Sequence, residues 1–181
     1  VVSAGGAGFD ESYSVSLDST GNATITGLFT GAATFGATKH TSKGLNDIHV
    51  TRVDKTGKIT WALAVGGTGT NDWEWGRGVA CTAGGVCYVT GSFLNTATFG
   101  PSTLTSKGST DVFIAKVNSA GTFAWATSAG GTSGDNGYGI ALDASGKIHV
   151  TGEYTGKATF GSKTLTAVGM FDAFVAVLPK Q

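Results

Sequence analysis

The sequence predicts an all-β protein made of repeated units, and two observations support this fold class. First, glycine supplies 30 of the 181 residues and proline only 2, and no segment keeps the apolar period of an amphipathic helix. Short runs rich in Thr, Val and Ile are instead separated by Gly, Asp, Asn and Ser, which is typical of strands joined by turns. Second, the tetrapeptide Ala-Thr-Phe-Gly occurs three times, at 33–36, 97–100 and 158–161.

Each tetrapeptide lies inside a longer repeated pattern. A glycine-containing turn precedes a strand that ends in Thr-Gly, at 18–27, 82–91 and 143–152. After the tetrapeptide, a strand with alternating apolar positions begins at an aspartate, which is Asp47, Asp111 or Asp172. A further turn then leads to Trp61 or Trp125 and to a Gly-Gly pair. Turns of the Asp-x-x-Gly kind favour antiparallel hairpins, because Asp caps the turn and Gly adopts a positive φ.

The repeat divides the chain into three units, which we place at approximately 7–67, 68–131 and 132–181 together with 1–6. A unit of about 60 residues with four strands cannot bury its faces alone, so neighbouring units must stack. Radial β-propeller blades are the favoured arrangement. Stacked β-solenoid coils are the alternative, although such coils are usually shorter and lack these hairpin turns. We therefore predict three β-propeller-like blades of about four antiparallel strands each.

The succession of motifs also resembles a known family. Trp-x-x-x-x-Gly-Gly, Val-Thr-Gly, Ala-Thr-Phe-Gly and Gly-x-x-Asp-x-Phe-x-Ala-x-Val are similar to the bacterial β-propeller repeat called the SBBP repeat. The resemblance covers essentially the whole chain. The third copy, Gly137–Val177, fits best, and the first departs from the pattern at Ile48 and His49. The resemblance implies an extracellular or cell-surface protein and no common catalytic residues.

Two side chains recur once in every unit and have a structural interpretation. Phe35, Phe99 and Phe160 are expected to fill equivalent core positions between blades. Asp47, Asp111 and Asp172 are expected to accept backbone N–H bonds from a neighbouring turn. A calcium-binding role for these aspartates is the alternative, but the ligand spacing of an EF-hand loop is absent and we predict no metal site.

The repeat phase predicts how the two ends of the chain are related. Val1–Gly6 aligns with Ala126–Gly131, the last strand of a unit, and the sequence stops at the turn that precedes that strand. We therefore expect the N-terminal strand to complete the last blade. Its assembly contacts would join two short segments: Val1, Val2, Ser3 and Ala4 on one side, and Ala173, Phe174, Val175 and Val177 on the other.

The number of units favours pairing between chains, because closed propellers usually have four to eight blades. Reciprocal exchange between two copies would give a six-bladed ring, and head-to-tail exchange would give a fibre. Two alternatives stay open: a fragment of a longer repeat array, and a closed monomer. The expected partners are thus copies of the same chain.

Unit two carries extra residues in the segment 68–79, which is the most binding-like feature of the sequence. Trp73 and Trp75 could stack on sugar rings, while Asp72, Glu74 and Arg77 could bond sugar hydroxyls. Glycans are therefore the alternative partners. The opposing interpretation is that the tryptophans fill a gap between blades or an assembly contact.

Cys81 and Cys87 are the only cysteines, and a hairpin would place them opposite each other. A cross-strand disulfide is expected, which fits an oxidising compartment. A metal site would need two more ligands, and no His or further Cys lies nearby in the sequence.

Charge and composition exclude several functions. Formal net charge is zero, so the chain lacks the basic face that nucleic-acid binding requires, and no apolar run is long enough for membrane insertion. His40, His49 and His149 belong to no recognisable catalytic arrangement, and no cofactor is predicted. We expect an extracellular, non-enzymatic structural protein that assembles with itself by strand complementation, and a carbohydrate-binding module is the alternative.

Overall fold

The computed structural model describes residues 1–69 and 71–179, and within them the chain forms eighteen strands and no helix. No helix in this part of the chain could therefore cross a membrane. In chain order the strands are β1 (Gly5–Gly6), β2 (Asp10–Leu17), β3 (Ala23–Phe29), β4 (Ala32–Phe35), β5 (Thr38–Thr41), β6 (Asp47–Val53), β7 (Ile59–Val65), β8 (Glu74–Cys81), β9 (Cys87–Phe93), β10 (Thr96–Phe99), β11 (Ser102–Thr105), β12 (Asp111–Asn118), β13 (Thr122–Gly131), β14 (Asn136–Leu142), β15 (Ile148–Tyr154), β16 (Lys157–Phe160), β17 (Lys163–Thr166) and β18 (Asp172–Leu178).

The strands repeat one topology three times, which confirms the all-β antiparallel class. Unit one has the strand order β2-β3-β6-β7, and the corresponding strands of unit two are β8-β9-β12-β13. Unit three has three such strands, β14-β15-β18. In every unit a short hairpin is inserted between the second and third strands, namely β4–β5, β10–β11 and β16–β17. The described strands form open sheets, and no closed propeller ring is present among them.

The three sheets stack in sequence order. The leading strand of unit two, β8, packs against β2, β3 and β6 of unit one, and β14 of unit three packs against β8 and β9. The second unit therefore lies between the other two.

Apolar side chains fill both junctions between units. One buried cluster joins Ile48, Val50 and Val65 of unit one to Val79, Val89 and other residues of unit two. A second cluster joins Tyr88, Val112 and Ile114 of unit two to Ile148, Val150 and Phe174 of unit three. Burial of each such side chain contributes roughly 1.5–3 kcal/mol, so stacking of the units stabilises the fold.

The repeated phenylalanines occupy equivalent positions, but their ring contacts lie within their own units and not between blades as the sequence predicts. Phe35 and Phe99 are buried, whereas Phe160 is half-buried. The ring of Phe99 lies 4.8 Å from that of Phe113 and 5.6 Å from that of Phe123, measured between centroids. Phe160 lies 4.4 Å from Phe174 in the same way.

The Gly-Gly pairs explain why Ala-Thr-Phe-Gly is repeated. Gly130 and Gly131, at the end of β13, pair with Thr159 and Ala158 of the next unit's hairpin. Gly5 and Gly6 of β1 pair in the same way with Thr34 and Ala33. A Cβ atom on Gly6 or Gly131 would collide with the carbonyl oxygen of the facing hairpin strand. Each Gly-Gly pair therefore lets the backbone of one unit approach the tetrapeptide of the next.

The aspartates that open the third strand of each unit have the predicted hydrogen-bond partners. Asp47 accepts the backbone N–H of Lys43 at 3.0 Å, and Asp111 and Asp172 accept equivalent bonds at 3.3 and 3.0 Å. The strand is thereby fixed to the end of the preceding hairpin.

The N-terminal strand does not complete the third sheet within this chain, so that prediction is wrong for a single molecule. Gly5–Gly6 pairs with β4 of unit one, and Val1–Ala4 lies outside the strands. β18 pairs with β15, and no other described strand pairs with it. Val1–Gly6 does correspond to Ala126–Gly131 in the repeat. The last two residues of this segment pair with the hairpin of the following unit, and this is the pairing that Gly5 and Gly6 make.

Candidate functional site

The leading strand of each unit (β2, β8 and β14) contains a β-bulge at the same repeat position. The register shifts between Ser12 and Ser14 in β2, and the corresponding shifts in β8 and β14 occur at 76–78 and 137–139. The bulged residues are Tyr13, Arg77 and Tyr138. Because a bulge redirects its side chain, one residue from each unit reaches a common place where the three leading strands meet.

Arg77 lies at the centre of this place. Its guanidinium carbon is 5.7 Å from the ring centroid of Tyr13 and 5.2 Å from those of Trp75 and Tyr138. These distances are within the range of cation–π attraction. We call Tyr13, Trp75, Arg77 and Tyr138 the central cluster.

Two carboxylates hold the tyrosines of the central cluster. Tyr138 Oη donates a hydrogen bond to Glu153 Oε1 at 2.6 Å, and Tyr13 donates to Glu11. Partial burial and these bonds to carboxylates raise the pKa of both tyrosines to about 12. Both phenols therefore stay protonated at neutral pH. The tyrosines are 42% and 41% exposed, so their rings face solvent.

Trp73 and Trp75 extend this aromatic surface. Their ring centroids are 5.3 Å apart with an interplanar angle of 67°. Trp73 is 43% exposed, whereas Trp75 is half-buried between Trp73 and Arg77. The structure thus brings three of the five residues predicted from the 68–79 segment to one surface.

Asp72 and Glu74 face the interior instead. Asp72 accepts the Gly69 N–H at 2.7 Å and the Asn95 side-chain amide at 2.6 Å. Glu74 Oε1 accepts the Gly67 N–H at 3.2 Å. Burial raises the pKa of Glu74 to about 8. Neither carboxylate is presented to solvent. The polar groups of the aromatic surface are Arg77, which lies beside Trp75, and Glu11 and Glu153, which bond the tyrosines.

Sequence reasoning singled out Arg77 but missed Tyr13 and Tyr138. The signal was available in the repeat, because the three residues occupy equivalent places in the leading strands. What the sequence does not display is the bulge, which turns these side chains toward one another.

Cys81 and Cys87 form the predicted disulfide. They are directly opposite each other in the β8–β9 hairpin, with Cα atoms 4.0 Å apart. A disulfide is compatible with an extracellular protein.

The residues predicted to form assembly contacts lie in two separate places. Val1, Val2, Ser3 and Ala4 are exposed near unit one. In β18, Ala173, Val175 and Val177 are exposed and Phe174 is buried. A cavity of about 630 Å³ lies between units two and three, lined in part by Val112, Ile114 and Phe174.

Comparison with protein-family models gives no match for this chain, and no curated protein matches it.

Proposed function

We propose that the chain is an extracellular, non-enzymatic assembly protein built from propeller-like repeats of the SBBP type, which associates with copies of itself by repeating its internal packing. The proposal rests on the outer face of unit three, formed by Ala173, Val175 and Val177 of β18 and by Thr151 of β15. We call this surface the exit face.

The single observation that carries the proposal is a difference in burial at equivalent positions. Val50, Ile114 and Val175 have the same register in units one, two and three, opposite Thr26, Thr90 and Thr151. Val50 and Ile114 are buried against the next unit, at 1% and 4% exposure, whereas Val175 is 75% exposed. The same face of the third strand is therefore buried in units one and two and exposed in unit three.

Unit one offers a complementary surface. Val15 and Leu17 of β2 are equivalent to Val79 and Cys81 of β8. Val79 is buried in the cluster that joins units one and two, but Val15 is 61% exposed and Leu17 is exposed as well. We call Val15 and Leu17 the entry face. A second copy that docks its entry face on the exit face would repeat an interface the chain already makes.

Strand complementation would accompany this docking. In unit two, Thr127 of β13 pairs with Ile114 of β12. Val2 is the repeat equivalent of Thr127, and Val175 is that of Ile114, so Val2 of a second copy would pair with Val175 at the free edge of β18. Head-to-tail contacts of this kind close into a ring or extend into a fibre.

The oligomeric state tests the proposal. Light scattering coupled to size exclusion and electron microscopy should detect rings or fibres of the wild-type chain, and Val175→Asp should yield folded monomers. Thr103→Asp is the matched control, since it adds the same charge on an exposed strand of unit two. A folded wild-type monomer at every concentration, or unchanged assembly of Val175→Asp, would reject the proposal.

A second candidate function, glycan binding, is favoured by the central cluster. Exposed aromatic rings beside an arginine and two carboxylates match what sugar recognition uses: apolar faces for C–H surfaces and polar groups for hydroxyls. The test is a glycan array with the wild-type chain and a Trp73→Ala/Tyr138→Ala double variant. Phe171→Ala removes an exposed ring elsewhere and serves as the control. Binding that the double variant loses and the control keeps supports this function, and no binding to any glycan excludes it.

A further inference from the structure

Each junction between units contains a pair of acidic side chains from two different units. Asp47, at the start of β6, and Glu74, at the start of β8, lie close enough for their negative charges to interact. Asp111, at the start of β12, faces Asp135 just before β14 in the same way. The second acid of each pair is held by the preceding Gly-Gly pair: Gly67 donates its N–H to Glu74 at 3.2 Å, and Gly131 donates to Asp135 at 2.7 Å.

One oxygen in each pair is buried without a hydrogen-bond partner. These oxygens are Glu74 Oε2 and Asp111 Oδ1, and both residues are 0% exposed. Buried carboxylate oxygens normally have partners, because an unsatisfied one carries the full cost of desolvation. The two unpartnered oxygens occur at equivalent junctions, so the unsatisfied carboxylate is a feature of the repeat.

At each junction a carboxylate lies against a glycine, and at the second junction both acids do. At the second junction, a Cβ atom on Gly130 would lie 2.6 Å from Asp111 Oδ1 and 2.8 Å from Asp135 Oδ2. At the first junction, Gly66 is the equivalent residue, and its Cβ would collide with the Asp47 carboxylate. The absence of a Cβ atom therefore lets these carboxylates lie directly against the backbone at both junctions.

Nearby positive charge comes from two exposed lysines and from His40, which also favours the charged form of Asp47. Lys43 stabilises the charged form of Asp47, and Lys107 does so for Asp111 and Asp135. Burial nevertheless outweighs these lysines and raises the pKa of all four acids, that of Asp111 to about 6. The negative charges of Asp47 and Asp72 raise the pKa of Glu74 further. Two carboxylates in one buried place need either a shared proton or a cation between them.

We propose that each junction binds one calcium ion, through Asp47 and Glu74 at the first and through Asp111 and Asp135 at the second. An all-oxygen donor set selects a hard divalent cation, and Ca²⁺ tolerates irregular geometry better than Mg²⁺ does. Backbone carbonyls and water would supply the remaining ligands. No group of three or more acidic, His or Cys side chains is arranged for a metal in the described residues. The dissociation constant should therefore resemble that of weak extracellular sites, on the order of 10⁻⁴–10⁻³ M.

Thermal unfolding at increasing Ca²⁺ concentration tests the proposal. After treatment with EDTA, the wild-type melting temperature should rise by about 5–10 °C at 10 mM CaCl₂, because only the folded chain holds the paired acids together. Asp111→Asn and Glu74→Gln should each reduce the slope of melting temperature against log [Ca²⁺] by about half. Asp54→Asn and Asp143→Asn are the controls, since they alter turn aspartates away from the junctions and should keep the full slope.

Terbium luminescence provides a readout that needs no variant. Tb³⁺ replaces Ca²⁺ in oxygen sites, and Trp73 and Trp75 adjoin Glu74 in the sequence, so excitation of tryptophan should sensitise Tb³⁺ emission that Ca²⁺ displaces. A melting temperature that does not respond to Ca²⁺, equal slopes in junction and control variants, or no Ca²⁺-displaceable emission would overturn the proposal. Glu74→Gln that is more stable than wild type without any Ca²⁺ response would indicate a shared proton instead.

Discussion

Val175 and Val50 occupy the same position in the repeat, each opposite the threonine of a Val-Thr-Gly or Ile-Thr-Gly strand, yet Val50 is buried and Val175 is largely exposed. The difference arises because unit two covers Val50, whereas no described strand covers Val175. Equivalent residues at the other end, Val15 and Val79, differ in the same way. In the proposed assembly, these two exposed surfaces are the two halves of one interface.

This relationship predicts complementation between two defective variants. Val15→Asp damages the entry face and keeps the exit face, and Val175→Asp does the opposite. Each variant alone should be monomeric, because every head-to-tail contact would contain one buried aspartate. A mixture should form heterodimers through the one remaining intact interface, which light scattering would detect.

The matched comparison is a mixture of Val175→Asp with Thr103→Asp/Val175→Asp. Both partners lack the exit face, so this mixture should stay monomeric. Dimers in this control, or none in the complementary mixture, would show that the two faces do not bind each other.

Much of the fold follows from the sequence because its signals are local and repeated. The turns, the hairpins and the Cys81–Cys87 disulfide depend on residues within a few positions of one another. The burial of Phe35 and Phe99 follows from their recurrence, since a residue needed once in every unit is most simply a core residue.

Other features depend on contacts between units, which a linear pattern does not specify. In the sequence, Glu74 resembles a surface acid between two tryptophans. In the structure it is equivalent to Asp135, since each accepts an N–H from the preceding Gly-Gly pair. The longer loop of unit two hides this equivalence in the sequence. The approach of Tyr13 and Tyr138 to Arg77 likewise depends on three bulges in three different sheets, which a linear pattern does not display.

The first stability prediction compares two equivalent phenylalanines. Phe99→Ala should lower the free energy of unfolding by about 3–5 kcal/mol, because the ring is fully buried against Phe113 and Phe123. Phe160→Ala should cost roughly half as much, since Phe160 is half-buried. Urea denaturation measures both. If Phe99→Ala does not fold, Phe99→Leu should still lose more than Phe160→Leu, and the reverse order would contradict the assignment.

The second stability prediction concerns the disulfide. Reduction should lower the free energy of unfolding by about 2 kcal/mol, because Cys81 and Cys87 close a short loop whose entropy in the unfolded chain then increases. The measurement is the urea midpoint with and without dithiothreitol. A Cys81→Ser/Cys87→Ser variant is the control: it should start at the lower midpoint and not respond to the reductant. Equal midpoints for oxidised and reduced wild type would contradict the prediction.

The last prediction is a pH dependence that originates at Glu74. Burial and the charges of Asp47 and Asp72 raise the pKa of Glu74 from 4.5 to about 8. Between these two values the folded chain binds more protons at this position than the unfolded chain, so its contribution to stability falls as pH rises. The loss is limited to about 1.4 kcal/mol per pH unit.

In EDTA, where no calcium competes with the proton, wild-type stability should therefore decrease from pH 5 to pH 8 more steeply than that of Glu74→Gln, whose amide does not titrate. The two proteins should be closest in stability near pH 5, where Glu74 is protonated and resembles the amide. Asp54→Asn is the control, because the Asp54 pKa is lowered by its turn and the residue stays ionised throughout this range. Parallel pH profiles for wild type and Glu74→Gln would mean that Glu74 is ionised in the folded chain, with a counter-charge that holds its pKa in the ordinary range.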